Sequence, residues 1–146
     1  MDDAPCAFAF ALAAYSRRLL ELDHLDHLVL TVADLDATCD FYARVLGMRV
    51  EIFGAGRRAL RFGRQKINLH QAGHEFEPKA KHPQPGAADL CFIAATPLTE
   101  VIAHLQNLKV AVDEGPVDRT GAVGAIRSVY IRDPDANLIE ISDYVA

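Results

Sequence analysis

Apolar positions along the chain recur in two periods, and the switches between them mark out an order of elements that occurs twice. Leu25–Val32 (LDHLVLTV) is rich in Leu and β-branched residues between Asp and Ala, the pattern of a strand. Leu35, Cys39, Tyr42 and Val45/Leu46 then recur at three and four residues. This predicts a helix capped by Asp34 and ended by Gly47, which tolerates the left-handed conformation. Arg49–Phe53, Arg57–Phe62 and Gln65–Gln71 read as three short strands, separated by Gly54-Ala55-Gly56 and Gly63-Arg64. Residues 73–86 (GHEFEPKAKHPQPG) carry three prolines and few apolar side chains, and read as a linker or long loop.

The order then restarts. Ala88–Ala94 is a strand, and Thr96-Pro97 is an N-cap followed by proline at the first helical position. Leu98, Val101/Ile102, Leu105 and Leu108 form a helical stripe. Val110–Asp113, Ala125–Arg132 and Leu138–Asp143 are the closing strands, the last following an Asp133-Pro134-Asp135-Ala136-Asn137 turn. Asp89 falls under His27 at an offset of 62 residues and Glu140 under Asn68 at an offset of 72; the difference matches a ten-residue insert, Gly115–Gly124, read as a loop. The expected fold is α+β: two βαβββ modules whose uncovered sheet faces curl into a cup. Residues 1–22 form an N-terminal extension, and residues 23–145 one domain, with module one at 23–72, the linker at 73–86 and module two at 87–145. The apolar run Ala4–Tyr15 is shorter than the roughly 20 residues that span a bilayer, and it lacks the basic start of a signal peptide.

Side chains alternate faces along a strand, so polar residues within apolar strands are informative. Leu28, Leu30 and Val32 point one way and His27, Val29 and Thr31 the other; Asn68 and His70 oppose Ile67 and Leu69; Asp89 lies with Cys91; Glu140 and Ser142 oppose Ile139 and Ile141. His27, Asn68, His70, Asp89 and Glu140 would all look into the cup. Imidazoles and carboxylates there are costly to desolvate unless paired or bound to a cation. A divalent metal held by His27, His70, Asp89 and Glu140 satisfies them together: imidazole supplies nitrogen, and carboxylates offset the charge. His24 precedes its strand, His74 and His82 are in the proline-rich segment, and His104 follows Glu100 by four residues as a helix-surface pair; none is a ligand candidate. Arg119 lies in the glycine-flanked insert, where it could close on a substrate carboxylate or phosphate, and Cys91 lacks an activating partner.

Composition narrows the function class. Fifteen Lys and Arg against twenty Asp and Glu give a net charge of −5, with no basic stripe, so neither nucleic acid nor an anionic membrane is the expected partner. Three widely spaced cysteines (Cys6, Cys39, Cys91) fit free thiols in a reducing, cytoplasmic compartment.

LDHLVLTVADLDATCDFYARVLGM, FGRQKINLHQ and YIRDPDANLIEIS together resemble the vicinal oxygen chelate superfamily of glyoxalases, bleomycin-resistance proteins and dioxygenases. KINLHQAGHEFEPKA, HPQPG and EGPVDRTGA are similar to the glyoxalase domain-containing protein 5 group. The resemblance covers about residues 23–145. It implies paired βαβββ modules around a divalent ion (Ni, Co, Mn, Fe or Zn), a homodimer whose cups take modules from both chains, and a small-molecule substrate. A lyase or isomerase of the glyoxalase I kind would use Glu140 as ligand and base, His27 as ligand, and glutathione as co-substrate. The chain departs from that pattern at Asn68, where glyoxalase I has Glu, and at Asp89, where it has His. Two other readings stay open: an Fe(II) dioxygenase using His27, His70 and Glu140, and a ligand-sequestering protein without chemistry.

Overall fold

The structure, a computed structural model, describes residues 20–146. Most of the N-terminal extension, including the apolar run, therefore lies outside the described residues. β1 (His27–Val32) leads into α1 (Leu35–Leu46), followed by β2 (Arg49–Phe53), β3 (Arg57–Phe62) and β4 (Gln65–Gln71). After the loop of residues 73–86 the series repeats as β5 (Asp89–Ile93), α2 (Leu98–Asn107), β6 (Glu114–Thr120), β7 (Ala125–Arg132) and β8 (Leu138–Tyr144). Each series closes its own four-stranded sheet, ordered β1-β4-β3-β2 and β5-β8-β7-β6. In both, the opening strand lies parallel to the closing strand and the remaining pairs are antiparallel. The expected pair of βαβββ modules is the observed architecture.

The local signals hold for α1. Asp34 accepts from Ala37 N at 2.9 Å, and Gly47 at φ 66° ends the helix with its N–H on the Ala43 carbonyl. They fail for α2, whose cap is Pro97 rather than Thr96 and has no side-chain bond; Asp143 of β8 accepts from Leu98 N instead, at 2.9 Å. His104 does not sit as a surface partner of Glu100. Its Nε2 lies 2.9 Å from the Val45 carbonyl oxygen, tying α2 to the end of α1.

Most of the insert is strand rather than loop. Val110–Asp113 is not a strand, and most of Gly115–Gly124 is not a loop: β6 runs through it, pairs with β7, and turns back only at residues 121–124. A Gly-Pro step inside a polar segment reads as a breaker, yet an edge strand with a bulge accommodates it. The register shifts between Glu114 and Val117, Gly115 adopts φ 115°, and a Cβ there would stand 2.5 Å from the Ser128 carbonyl oxygen.

One core joins the modules. Leu30, Val32, Ile67 and Leu69 of the first sheet and Val129, Ile131, Ile139 and Ile141 of the second pack with Tyr42, Val45, Val101 and Leu105 of the helices. The other face of each sheet is consequently turned away from this core. The Asp133–Asn137 turn locks the arrangement: buried Asp133 accepts from Tyr42 Oη at 2.9 Å, from Asn137 Nδ2 at 2.8 Å, and from the backbone of Asp135 and Asn137. Asp135 accepts from Ala33 N, and Asn137 Oδ1 from Ala88 N at 2.8 Å. Burial and the Asp133 charge push the Tyr42 phenol far above its usual range, so it stays a donor. Among the described residues no helix is long and apolar enough to cross a membrane.

Removing the Tyr42 hydroxyl deletes a buried hydrogen bond to a carboxylate, a class worth about 1.5–3 kcal/mol. Tyr42→Phe should lose roughly that amount in urea unfolding; a loss below about 0.5 kcal/mol would show that the modules do not depend on this bond.

Candidate functional site

The parallel pairs place the candidate donors. His27 faces Lys66 across β1 and β4, so Asn68 lies two residues further along on the same face. Asp89 faces Leu138 across β5 and β8, so Glu140 again lies two residues further. Two residues along and one strand across is about 8 Å between Cα atoms, within reach of one ion for side chains on a common face. Each module thus carries one pair of donors at an identical register: imidazole and amide oxygen in the first, two carboxylates in the second.

His27 could serve as a ligand through Nε2. Its Nδ1 donates to Asp26 Oδ2 at 2.7 Å, which leaves the Nε2 lone pair to a cation. That bond also holds the Asp26 carboxyl below its usual range. Asn68 is buried and its Oδ1 has no hydrogen-bond partner, the condition a cation or donor would relieve.

The pairs do not meet within one chain. Among the described residues there is no group of three or more His, Cys, Asp or Glu side chains placed to hold a metal. One chain therefore fits a resident ion only as two half-sets. His70 belongs to neither. It faces Thr31, four residues along from the His27 register, roughly 13 Å away at about 3.3 Å per residue. Parallel side chains on one sheet face do not converge over that distance, so His27 and His70 are not co-ligands. Burial, and Arg57 beside it, push the His70 imidazole below its usual range and keep it neutral.

Glu140 sits in a polar network on the uncovered face of the second sheet. Tyr130 faces it directly across β7 and β8. Ser142 Oγ donates to Glu140 Oε1 at 3.4 Å and lies 2.7 Å from Ser128 Oγ. Arg119 Nε donates to Tyr130 Oη at 3.0 Å, and Nη2 to Glu114 Oε1 at 2.9 Å. Arg119 is thus fixed on a strand and braced at both ends, and the expected glycine-hinged closure of its loop is not the observed arrangement. Burial pushes the Tyr130 phenol up; Arg119 opposes this and Glu140 adds to it. Arg132 pairs with Asp113 at 2.8 Å and leaves Glu140 to this network. Tyr130 escaped the sequence reading, although its alternation with Ser128 puts it on the Glu140 face. Burial raises the Cys91 thiol, and its Sγ lies 3.6 Å from Ser142 Oγ, an environment that does not activate it.

The uncovered face of the first sheet is basic. Its strands carry Arg49, Arg57, Arg61 and Lys66 against Glu51, which Arg61 already pairs. A larger open cleft of about 840 Å³ runs between the modules, lined by Met48, Phe62, Cys91, Phe92 and Ile93 among others, and holds none of the candidate donors.

Comparisons with known proteins agree with this architecture. The family model described as the glyoxalase/bleomycin resistance protein/dioxygenase superfamily matches residues 24–141. The virulence protein STM3117 of Salmonella typhimurium strain LT2 is 57% identical over 124 residues, covering 85% of this chain and 86% of its own length. Its crystal structure superposes with a TM-score of 0.85, covering 86% of this chain and 100% of that one. The glyoxalase domain-containing protein RDO1 of Mycosarcoma maydis is 59% identical over 128 residues, covering 88% of this chain and 72% of its own length. A lactoylglutathione lyase from Agrobacterium tumefaciens has 25% identity and a TM-score of 0.65, covering 84% and 94% of the two chains. The duplicated modules, the matching strand registers and these similarities establish that the chain belongs to the glyoxalase/bleomycin resistance protein/dioxygenase superfamily.

Proposed function

We propose that the protein is a glyoxalase-like lyase or isomerase that moves a proton between adjacent carbons of a small carbonyl substrate. Glu140 is the base. The cup is completed between two copies of the chain, with His27 and Asn68 of one and Asp89 and Glu140 of the other holding a divalent ion. The observation that carries this reading is the identical placement of a donor pair in each module, on sheet faces turned away from the chain's own core. Charge favours joining those faces: the first is basic, while the second carries Asp89, Glu114 and Glu140 against Arg119 and Arg132. Val29 on the first face and Ile93 on the second are exposed apolar residues that such a contact would cover.

The side chains around Glu140 suit proton transfer. The carboxylate is half-buried and its partners are neutral hydroxyls, so it stays a competent acceptor beside a substrate C–H. Tyr130, held by Arg119, offers a hydroxyl toward the same space and can donate to a substrate oxygen. A bound divalent ion supplies Lewis-acid stabilisation of negative charge on substrate oxygen. The dioxygenase reading loses its second imidazole, because His70 is far from His27 along the strands.

Protein purified without chelator should contain a stoichiometric divalent ion, Ni, Co, Mn, Fe or Zn, that His27→Ala and Glu140→Gln each remove. Retention of the ion in both variants would overturn the donor assignment. Loaded protein should form lactoyl-thioester from methylglyoxal and glutathione without oxygen uptake on catechols, and Glu140→Gln should lower kcat by about 10²–10⁴-fold. The opposite substrate pattern would favour the dioxygenase.

Cys91 stands outside this chemistry, and its titration tests that. A raised thiol is protonated near neutral pH, so in protein stripped of metal the alkylation of Cys91, followed by peptide mapping, should rise with pH through an inflection above that of free cysteine. An inflection below it would give the thiol a nucleophilic role.

A further inference from the structure

Among the described residues, two buried side-chain polar atoms have no hydrogen-bond partner, Asn68 Oδ1 and His70 Nε2. They belong to one strand and one sheet face, two residues apart, or roughly 7 Å between Cα atoms. Val29 and Thr31 are their register partners on β1. In the proposed cup Asn68 faces the ion, but nothing in that assignment engages His70, which is 3% exposed. A buried nitrogen left unpaired is costly, and a bound molecule that pairs with it removes that cost.

His70 borders a cavity of about 370 Å³, near the lower end of the range for small-ligand pockets, about 300–1,000 Å³. Val29, Thr31 and His70 form its floor, and Pro78, Ala80 and Pro83 of the 73–86 loop cover it. Phe76 anchors that loop: its ring meets His70 edge-on at 5.5 Å between centroids, and the Arg57 guanidinium lies 4.7 Å from its centre. Because the floor includes Val29, the register partner of Asn68, the cavity is a side pocket of the cup face and not a separate site. Charge does not select its guest. The one Lys or Arg of the lining, Lys79, is paired with Glu77 at 2.9 Å. Apart from the Thr31 hydroxyl and the imidazole, the remaining walls are apolar.

We propose that the substrate of the cup carries an uncharged hydroxyaryl group and that this side pocket receives it. The ring lies against Val29, Pro78 and Pro83, and its hydroxyl meets His70 Nε2 beside Thr31. A hydroxyl both donates and accepts, so it satisfies either tautomer of the imidazole. A benzene ring sets a hydroxyl opposite its carbonyl substituent, which matches the spacing of His70 from Asn68 without ordering a flexible chain. Methylglyoxal is too short to use the pocket. The inference rests on the proposed lyase reading and names its substrate class: aryl oxoaldehydes hydroxylated opposite the oxoaldehyde.

The test assays the metal-loaded full chain with glutathione and each of methylglyoxal, phenylglyoxal and 4-hydroxyphenylglyoxal. The hydroxylated compound should have a kcat/KM at least about tenfold above each of the others. His70→Phe and Thr31→Val should each bring the ratio of hydroxylated to plain phenylglyoxal toward one. Thr31→Val is close to isosteric and keeps the test decisive if His70→Phe misfolds. Calorimetric titration with 4-hydroxybenzamide and benzamide, which lack the oxoaldehyde, reads the pocket without turnover. The hydroxylated amide should bind at least about tenfold more tightly. That preference, with no turnover of any of the three oxoaldehydes, would fail the lyase reading and keep the pocket assignment. A kcat/KM for methylglyoxal or phenylglyoxal equal to or above that of the hydroxylated compound would overturn the proposal. So would absent or equal binding of the two amides, or an undiminished preference in Thr31→Val.

Discussion

The parallel register between the opening and closing strand of each module is the constraint on which the site depends. Side chains on a strand have period two, so a slip of one residue would turn Asn68 or Glu140 into the core and bring Ile67 or Ile141 out. The buried residues Leu30, Ile67, Leu69, Ile139 and Ile141 make that slip costly. Packing on one face thus determines which polar side chains appear together on the other. Because the chain does this twice with the same stagger, two half-sets of donors follow from a hydrophobic pattern.

The Asp133–Asn137 turn fixes how the modules sit. A single buried carboxylate draws in the Tyr42 hydroxyl from α1 and the Asn137 amide from its own turn, while Asp135 and Asn137 hold the backbone at Ala33 and Ala88. The first residues after β1 and just before β5 are therefore bonded to the same five-residue turn. With one stripe of each helix packed into the core that the inner sheet faces share, each chain presents its two half-sets outward. In the proposed cup a second copy supplies the other half-set, and the acidic residues of the second face then matter less to outside partners than the net charge of −5 suggests.

Much of this was legible in the sequence, for identifiable reasons. Periodicity and caps located α1 and β1–β4, and the offsets of 62 and 72 residues aligned His27 with Asp89 and Asn68 with Glu140, as the strand registers do. Where non-local partners decide the structure, the reading failed. β6 contains Gly115-Pro116 and alternates poorly; it is a strand because β7 offers an edge to pair with. α2 is capped by Asp143, distant in sequence. His70 shares a face with His27 but not a reach, a distinction that alternation alone does not make and pairing register does. Nothing local shows that the proline-rich segment folds back over β1 and β4, because Phe76 on His70 is a contact between a loop and a sheet face.

The central claim is that a working cup takes its donors from two chains. The most direct measurement is the metal content of a mixed dimer, isolated with two different tags, of a His27→Ala chain and a Glu140→Gln chain. In this account both defects fall in one cup and the other keeps all its donors. The mixed dimer should then hold half the wild-type metal, while each single-variant dimer holds none. A mixed dimer without metal would place His27 and Glu140 in the same cup of one chain and contradict the account.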